Sequence, residues 1–190
     1  MQKNAYQQQM LEKRCFKEKT LKYRGKLLSF YSCTYEEANG SLRVYDMLEH
    51  PGASVMIPIN DRGEIHFIQQ WRRCPGKILL ELPAGVLEPN ESPKDCAQRE
   101  LQEEIGFMAN QLTYLGGFFT APGFCNEYLH LFLAENLTFS PAQAEDTPYI
   151  DRCVLSLEKT LEALDQGLIE DAKTLCGILK YLRHINKLPF

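Results

Sequence analysis

The apolar positions fall into short blocks separated by turn residues. Residues 26–35 are rich in aromatic and β-forming side chains, Ala38-Asn39-Gly40 is a turn signal, and 41–49 resume the pattern. This predicts a β-hairpin. An apolar run at 53–59 is turned by Asn60-Asp61-Arg62-Gly63 into 64–71, and 78–82 read as a further strand. The period then changes. Ser92 is a good helix cap, Pro93 suits the first helical position and Asp95 favours its positive end. The spacing predicts a helix to about Ile105, stopped by Gly106. Strands are expected at 111–120 and 127–134, with a long loop over 135–149. A strand near 150–155 follows, then helices at 157–166 and about 171–186, the first ended by Gly167. Residues 1–18 read as a polar, weakly helical lead-in. Without regular strand–helix alternation, the fold class is α+β, or a mixed-sheet α/β sandwich.

Composition narrows the class. The chain has 190 residues, 44 % of them hydrophobic and 24 % charged, which suits a globular domain able to bury its own core. Mean hydropathy is −0.32, and no apolar run is long enough to span a membrane. The first residues lack the apolar centre of a signal peptide, so the expected localisation is cytoplasmic. Seven cysteines, an odd number without CxxC spacing, read as reduced thiols rather than a zinc or disulfide framework. The formal charge of −4 does not favour a nucleic-acid partner. Residues 1–26 nevertheless hold eight Lys/Arg against two Glu, a basic arm read as a solvated face.

The chemistry concentrates at 85–107. On the expected helix, Glu100 and Glu104 lie about 40° apart at 100° per residue, with Glu103 on the flank. Ala97, Leu101 and Ile105 form the adjoining apolar stripe. Three clustered carboxylates repel one another, and Lys94 is the only lysine in the helix. An acidic solvated face is one reading. A hard divalent cation, which prefers oxygen ligands and often bridges to substrate phosphates, is the other.

The full spacing favours the cation. Gly85, Glu91, Arg99, Glu100, Leu101, Glu103, Glu104, Gly106 and Phe107 satisfy Gx5Ex7REUxEExGU, with U a bulky apolar residue. This is the Nudix box, and the chain resembles the Nudix hydrolase superfamily. Glu81-Leu82-Pro83-Ala84 before the box, Gln70-Trp71-Arg72, His50-Pro51-Gly52-Ala53, Pro122 sixteen residues after Gly106, and the 167–174 segment are similar to the ADP-ribose pyrophosphatase branch.

That resemblance implies an α/β/α sandwich around a mixed sheet, Mg²⁺ or Mn²⁺, and a nucleoside diphosphate derivative as substrate. It makes Glu100, Glu104, Glu103 and the Ala84 carbonyl the metal ligands, with Arg99 holding the glutamates and Glu91 tying the loop to the helix. Gly85 and Gly106 serve the loop turn and the helix stop. Arg72, Trp71 and Glu81 would bind substrate, Arg72 by gripping phosphate. The general base would be Glu145, Asp146, Glu127 or Glu103. Pro148 stands where this branch often has a glutamate. The expected activity is hydrolysis of ADP-ribose to AMP and ribose 5-phosphate. A nucleotide-sugar pyrophosphatase acting on GDP-mannose and a non-catalytic ADP-ribose sensor are the alternatives. Residues 1–49 are expected to form an N-terminal lead-in and hairpin that builds a homodimer, and 50–190 the hydrolase domain.

Overall fold

The computed structural model describes residues 2–142 and 149–188. Glu145 and Asp146 lie outside the described residues. The chain divides into two compact units, Met1–Pro51 with Ala121–Glu127, and Gly52–Thr120 with Tyr128–Phe190.

The first unit opens with helix α1 (Gln2–Cys15) and continues through strands β1 (Phe16–Arg24), β2 (Ser29–Glu36) and β3 (Leu42–Glu49). The three strands form an antiparallel sheet in the order β1-β2-β3. Expectation and structure differ here, because the lead-in becomes a strand at Phe16 and the hairpin gains a third member. Pairing along β2 supplies the backbone partners that the local sequence does not announce. Lys17 pairs with Glu36, and Lys19 reaches Glu49 at 2.9 Å while lying over the Tyr31 ring. The 121–127 segment is fastened to the end of β3. Leu48 N donates to Phe124 O at 2.7 Å, and His50 N donates to Asn126 Oδ1 at 2.7 Å.

The second unit comprises β4 (Ala53–Pro58), β5 (Ile65–Arg72), β6 (Lys77–Glu81), β7 (Ala84–Val86), α2 (Pro93–Glu100), a π-helical turn (Leu101–Ile105), β8 (Phe107–Phe119), β9 (Tyr128–Phe139), β10 (Ile150–Leu155), α3 (Leu157–Asp165) and α4 (Ala172–His184). One sheet has the order β7-β4-β9-β8 and the other β10-β5-β6. β4 runs parallel to β9, and the remaining pairs are antiparallel.

Successive side chains of a strand face opposite ways, and β4 uses both faces. Met56 packs with Ala97, Leu101 and Ile105 of the box helix. Val55 and Ile57 pack with Ile178 and Leu182 of α4. Helices therefore cover both faces of a mixed sheet, the layering expected of the α/β/α sandwich.

Two boundaries moved. β9 continues to Phe139 and takes up part of the expected 135–149 loop, because β8 begins at Phe107 and extends the ladder. The box helix is not α-helical throughout, since its last turn widens at Leu101. No helix among the described residues is long and apolar enough to cross a membrane.

Candidate active site

The box helix begins as its sequence dictates. Ser92 caps it by accepting from Asp95 N at 3.2 Å, and Pro93 occupies the first turn. Its far end is a π turn in which Gly106 N donates to Leu101 O at 3.0 Å. Gly106 has φ +82°, a left-handed conformation that suits glycine. The last carbonyls of a helix lack intrahelical partners, and here other segments supply them. Gln102 O accepts from Ala142 N at 3.1 Å, and Glu104 O accepts from Arg152 Nε at 2.9 Å. The 40° separation expected of Glu100 and Glu104 assumed a continuous α-helix and is replaced by this wider turn.

Arg99 organises the carboxylates. Its Nε and Nη2 donate to Glu91 at 2.8 and 3.0 Å, and its Nη1 to Glu100 Oε1 at 2.6 Å and to Glu103 Oε2 at 3.2 Å. Nη2 also donates to Val86 O at 3.1 Å. Glu91 in turn accepts from Glu88 N at 2.9 Å, so the loop and the helix share one ion network. The Glu91 hydrogen bonds, foremost, and the Glu100 charge hold the Arg99 guanidinium firmly protonated.

Glu104 differs from its neighbours. Its residue is 8 % exposed, and its Oε2 accepts from Ala84 N at 2.9 Å. Burial, with the Glu100 charge adding to it, pushes its carboxyl up to about 8. Burial also raises Glu100, against the opposing pull of Arg99. Gly85 lies against this cluster. A Cβ built there would overlap the Glu100 carboxylate, so the close approach of loop and helix requires glycine.

Among the described residues, no three His, Cys, Asp or Glu side chains are gathered ready to hold a metal ion. Glu100 and Glu103 are drawn to Arg99, and Glu104 to the Ala84 amide. The donor chemistry still suits a hard divalent cation. Every candidate donor is an oxygen, and burial, with a neighbouring glutamate charge adding to it, raises the carboxyls of Glu100 and Glu104, a penalty on their charged forms that a bound cation would offset.

Stability should therefore depend on pH in a defined direction. A carboxyl raised in the folded state favours folding below its unfolded value, and that contribution is lost as pH rises through the folded value. For Glu104 the window runs from about 4.5 to about 8. Without divalent ions, the melting temperature of wild type should fall relative to Glu104→Gln as pH rises from about 4.5 to about 8 and level off above that, a loss on the order of several kilocalories per mole at most. Added Mg²⁺ should recover most of it at pH 9. Parallel melting curves of the two proteins across this range would refute the assignment.

The other expected residues are placed as follows. Arg72, at the end of β5, donates through Nε and Nη2 to the two oxygens of Glu81 at 2.7 and 2.6 Å. Glu81 is buried, and Trp71 is exposed. In the first unit, Glu127 Oε1 lies 3.5 Å from His50 Nε2. Two participants were not singled out by sequence. Lys173 bonds to Glu81, and Arg152 bonds to the Glu104 carbonyl. The 167–174 resemblance pointed near the first, and no local signal marked the second.

A protein-family model described as the NUDIX domain matches residues 48–176. An ADP-ribose pyrophosphatase of Bacillus subtilis is 34 % identical over 163 residues, covering 85 % of this chain and 88 % of the relative. A methanol dehydrogenase activator of Bacillus methanolicus is 33 % identical over 174 residues, covering 88 % and 94 %. A GDP-mannose pyrophosphatase of Cronobacter sakazakii is 32 % identical over 142 residues, covering 70 % and 73 %. The solved structure of an ADP compounds hydrolase shares the fold with a TM-score of 0.80 at 23 % identity, over 91 % of this chain and 96 % of that one. Box and match coincide, and the chain belongs to the Nudix family of hydrolases, as an enzyme related to the ADP-ribose and GDP-mannose pyrophosphatases.

Proposed function

We propose that this protein hydrolyses the pyrophosphate bond of ADP-ribose to AMP and ribose 5-phosphate, with Mg²⁺ or Mn²⁺ as cofactor. The observation that carries the reading is the ion network of Arg99 with Glu91, Glu100 and Glu103 beside the buried Glu104. It keeps several carboxylates close together on one helix end. The preference for ADP-ribose is supported by the 34 % identity to the Bacillus subtilis pyrophosphatase over most of both chains. GDP-mannose is the second reading, favoured by the Cronobacter sakazakii relative.

Bound divalent cations would offset the charge of the pyrophosphate and make a water more acidic. Glu100, Glu103, Glu104 and the Ala84 carbonyl would hold them. Arg99 would keep Glu100 and Glu103 from swinging outward. Arg72 would bind a phosphate oxygen through charge-assisted hydrogen bonds, with exposed Trp71 nearby in sequence for a flat ring to rest on. A carboxylate would take the proton of the attacking water. The deciding experiment is turnover of ADP-ribose, GDP-mannose, UDP-glucose, diadenosine polyphosphates and nucleoside triphosphates with Mg²⁺, with and without EDTA. ADP-ribose should have the highest kcat/KM. A clear preference for GDP-mannose would overturn the substrate, and full turnover in excess EDTA would overturn the cofactor.

The proposed base is in the 145–146 pair. Glu145→Gln or Asp146→Asn should lower kcat more than Glu127→Gln, by about 10²-fold or more, with KM little changed. Near-wild-type kcat in both loop variants would remove the loop from the chemistry and leave Glu127 or Glu103.

The first unit is the proposed dimer element. Phe16, Leu21, Tyr23, Leu27, Leu42, Val44 and Tyr45 are all exposed on it, apolar surface that a second copy would cover. Light scattering should give twice the 21.9 kDa chain mass. A monomer at micromolar concentration would refute it.

A further inference from the structure

Arg72 is anchored by more than a salt bridge. The Glu81 carboxylate that receives its Nε and Nη2 is 1 % exposed. A carboxylate so placed needs its charge matched, and burial works against it. Its Oε2 also accepts from Lys173 Nζ, and Lys173 donates to Asp171 Oδ2 at 2.9 Å. Asp171 is itself fixed. It caps α4, accepting from Thr174 N at 3.0 Å and from Thr174 Oγ1 at 2.5 Å. Thr174 Oγ1 then accepts from Leu82 N at 2.8 Å. The chain of bonds runs from the end of β5, through the end of β6, into the first turn of α4 and back to the segment that joins β6 to Ala84.

Two consequences follow for Arg72. A carboxylate shared between two cations has a fixed plane, and a guanidinium bound to it by two parallel bonds inherits that plane. Sharing also divides the negative charge, so Glu81 cancels less of the Arg72 charge than it would in an isolated pair. Both cations are also felt at Glu104, so the network borders the carboxylates of the box.

We propose that Lys173 is a positioning residue which, acting through Glu81, orients the Arg72 guanidinium and preserves its charge for an oxyanion of the pyrophosphate substrate. The proposal rests on Arg72 contacting substrate in the reading above. It assigns to the first turn of α4 a role in substrate affinity, which a purely structural helix cap would not have.

A double-mutant cycle on the full chain with Mg²⁺ and ADP-ribose tests it. Lys173→Met should raise KM by about tenfold, the loss of one charge-assisted contact, with kcat within about threefold of wild type on the same scale. Lys173→Arg should restore most of the affinity. The pair Arg72→Ala with Lys173→Met should be no worse than Arg72→Ala alone, because Lys173 acts through Arg72. Multiplicative effects in the double variant, or a Lys173→Met protein with lowered melting temperature and unchanged KM, would overturn the proposal. Should Lys173→Met fail to fold, Asp171→Asn takes its place. Asparagine still caps a helix but weakens the hold on Lys173, so KM should rise severalfold, and an unchanged KM would count equally against the proposal. Wild-type turnover of GDP-mannose in place of ADP-ribose would defeat only the substrate reading. The same cycle would then be run on GDP-mannose, whose pyrophosphate presents the same oxyanions.

Discussion

Glu104→Gln should lower kcat by about a thousandfold or more while leaving the protein folded. The magnitude follows from the several kilocalories per mole that a correctly held metal ion contributes to a phosphoryl-transfer transition state, at roughly 1.4 kcal/mol per tenfold. The fold should survive because the amide oxygen of glutamine can accept from Ala84 N as Glu104 Oε2 does now, at 2.9 Å. The substitution also removes a carboxyl that burial pushes up to about 8, so the metal-free variant should be at least as stable as wild type at alkaline pH. Loss of activity with gain of stability separates a ligand from a packing residue. The measurements are kcat at saturating Mg²⁺ and a melting curve on the same preparation. A kcat within threefold of wild type would exclude Glu104 from the metal set. A collapse in melting temperature would identify it as a packing group.

Gly85→Ala should lower both activity and stability, through a different cause. The new Cβ would occupy the place of the Glu100 carboxylate. The backbone cannot easily yield, because Gly85 pairs with Ser54 of β4, and its carbonyl accepts from Cys96 Sγ at 3.4 Å. Glu100 must therefore leave, breaking its 2.6 Å bond to Arg99. kcat should fall by about a hundredfold, and overpacking should cost about 1–3 kcal/mol. Gly85→Ala combined with Glu100→Ala should be no less stable than Glu100→Ala alone, since the second change removes the atoms that clash. Additive destabilisation would place the strain in the backbone.

The box was legible because its residues are local in sequence. Ser92, Pro93 and Gly106 mark the helix ends by their own backbone preferences, and the Ala97, Leu101 and Ile105 stripe marks the buried face. The layering was legible for a related reason. It was implied by the resemblance that the box carries, whereas the apolar run 53–59 announced only a strand; the structure adds that β4 is covered on both faces. What escaped depends on partners far along the chain. β1 is exposed along nearly all its length, so burial imposes no clear alternation on it, and its strand character comes from pairing with β2. The carbonyls of the π turn are received by partners far along the chain, including Arg152, which lies 48 positions beyond Glu104. Lys173 meets Glu81 across 92 positions. No neighbour in sequence signals the role of Arg152, and the 167–174 resemblance pointed only to the vicinity of Lys173. For the base, the sequence named four carboxylates without separating them, because reach across a folded site is not a property of spacing.

The parallel pairing of β4 with β9 also constrains how the protein comes into being. Ala53 lies opposite Leu129, 76 positions later, and the whole box lies between them. The entropic cost of closing so long a loop must be met before its contacts repay it, which makes such topologies slow to fold. During synthesis the box helix therefore emerges well before the strand that completes the sheet beneath it. Until β9 docks, Met56, Leu101 and Ile105 lack Phe132 and Ala134, and the carboxylates ride on a helix with half a floor. The slow phase of refolding should thus coincide with the appearance of divalent-ion affinity, with no bound intermediate preceding it.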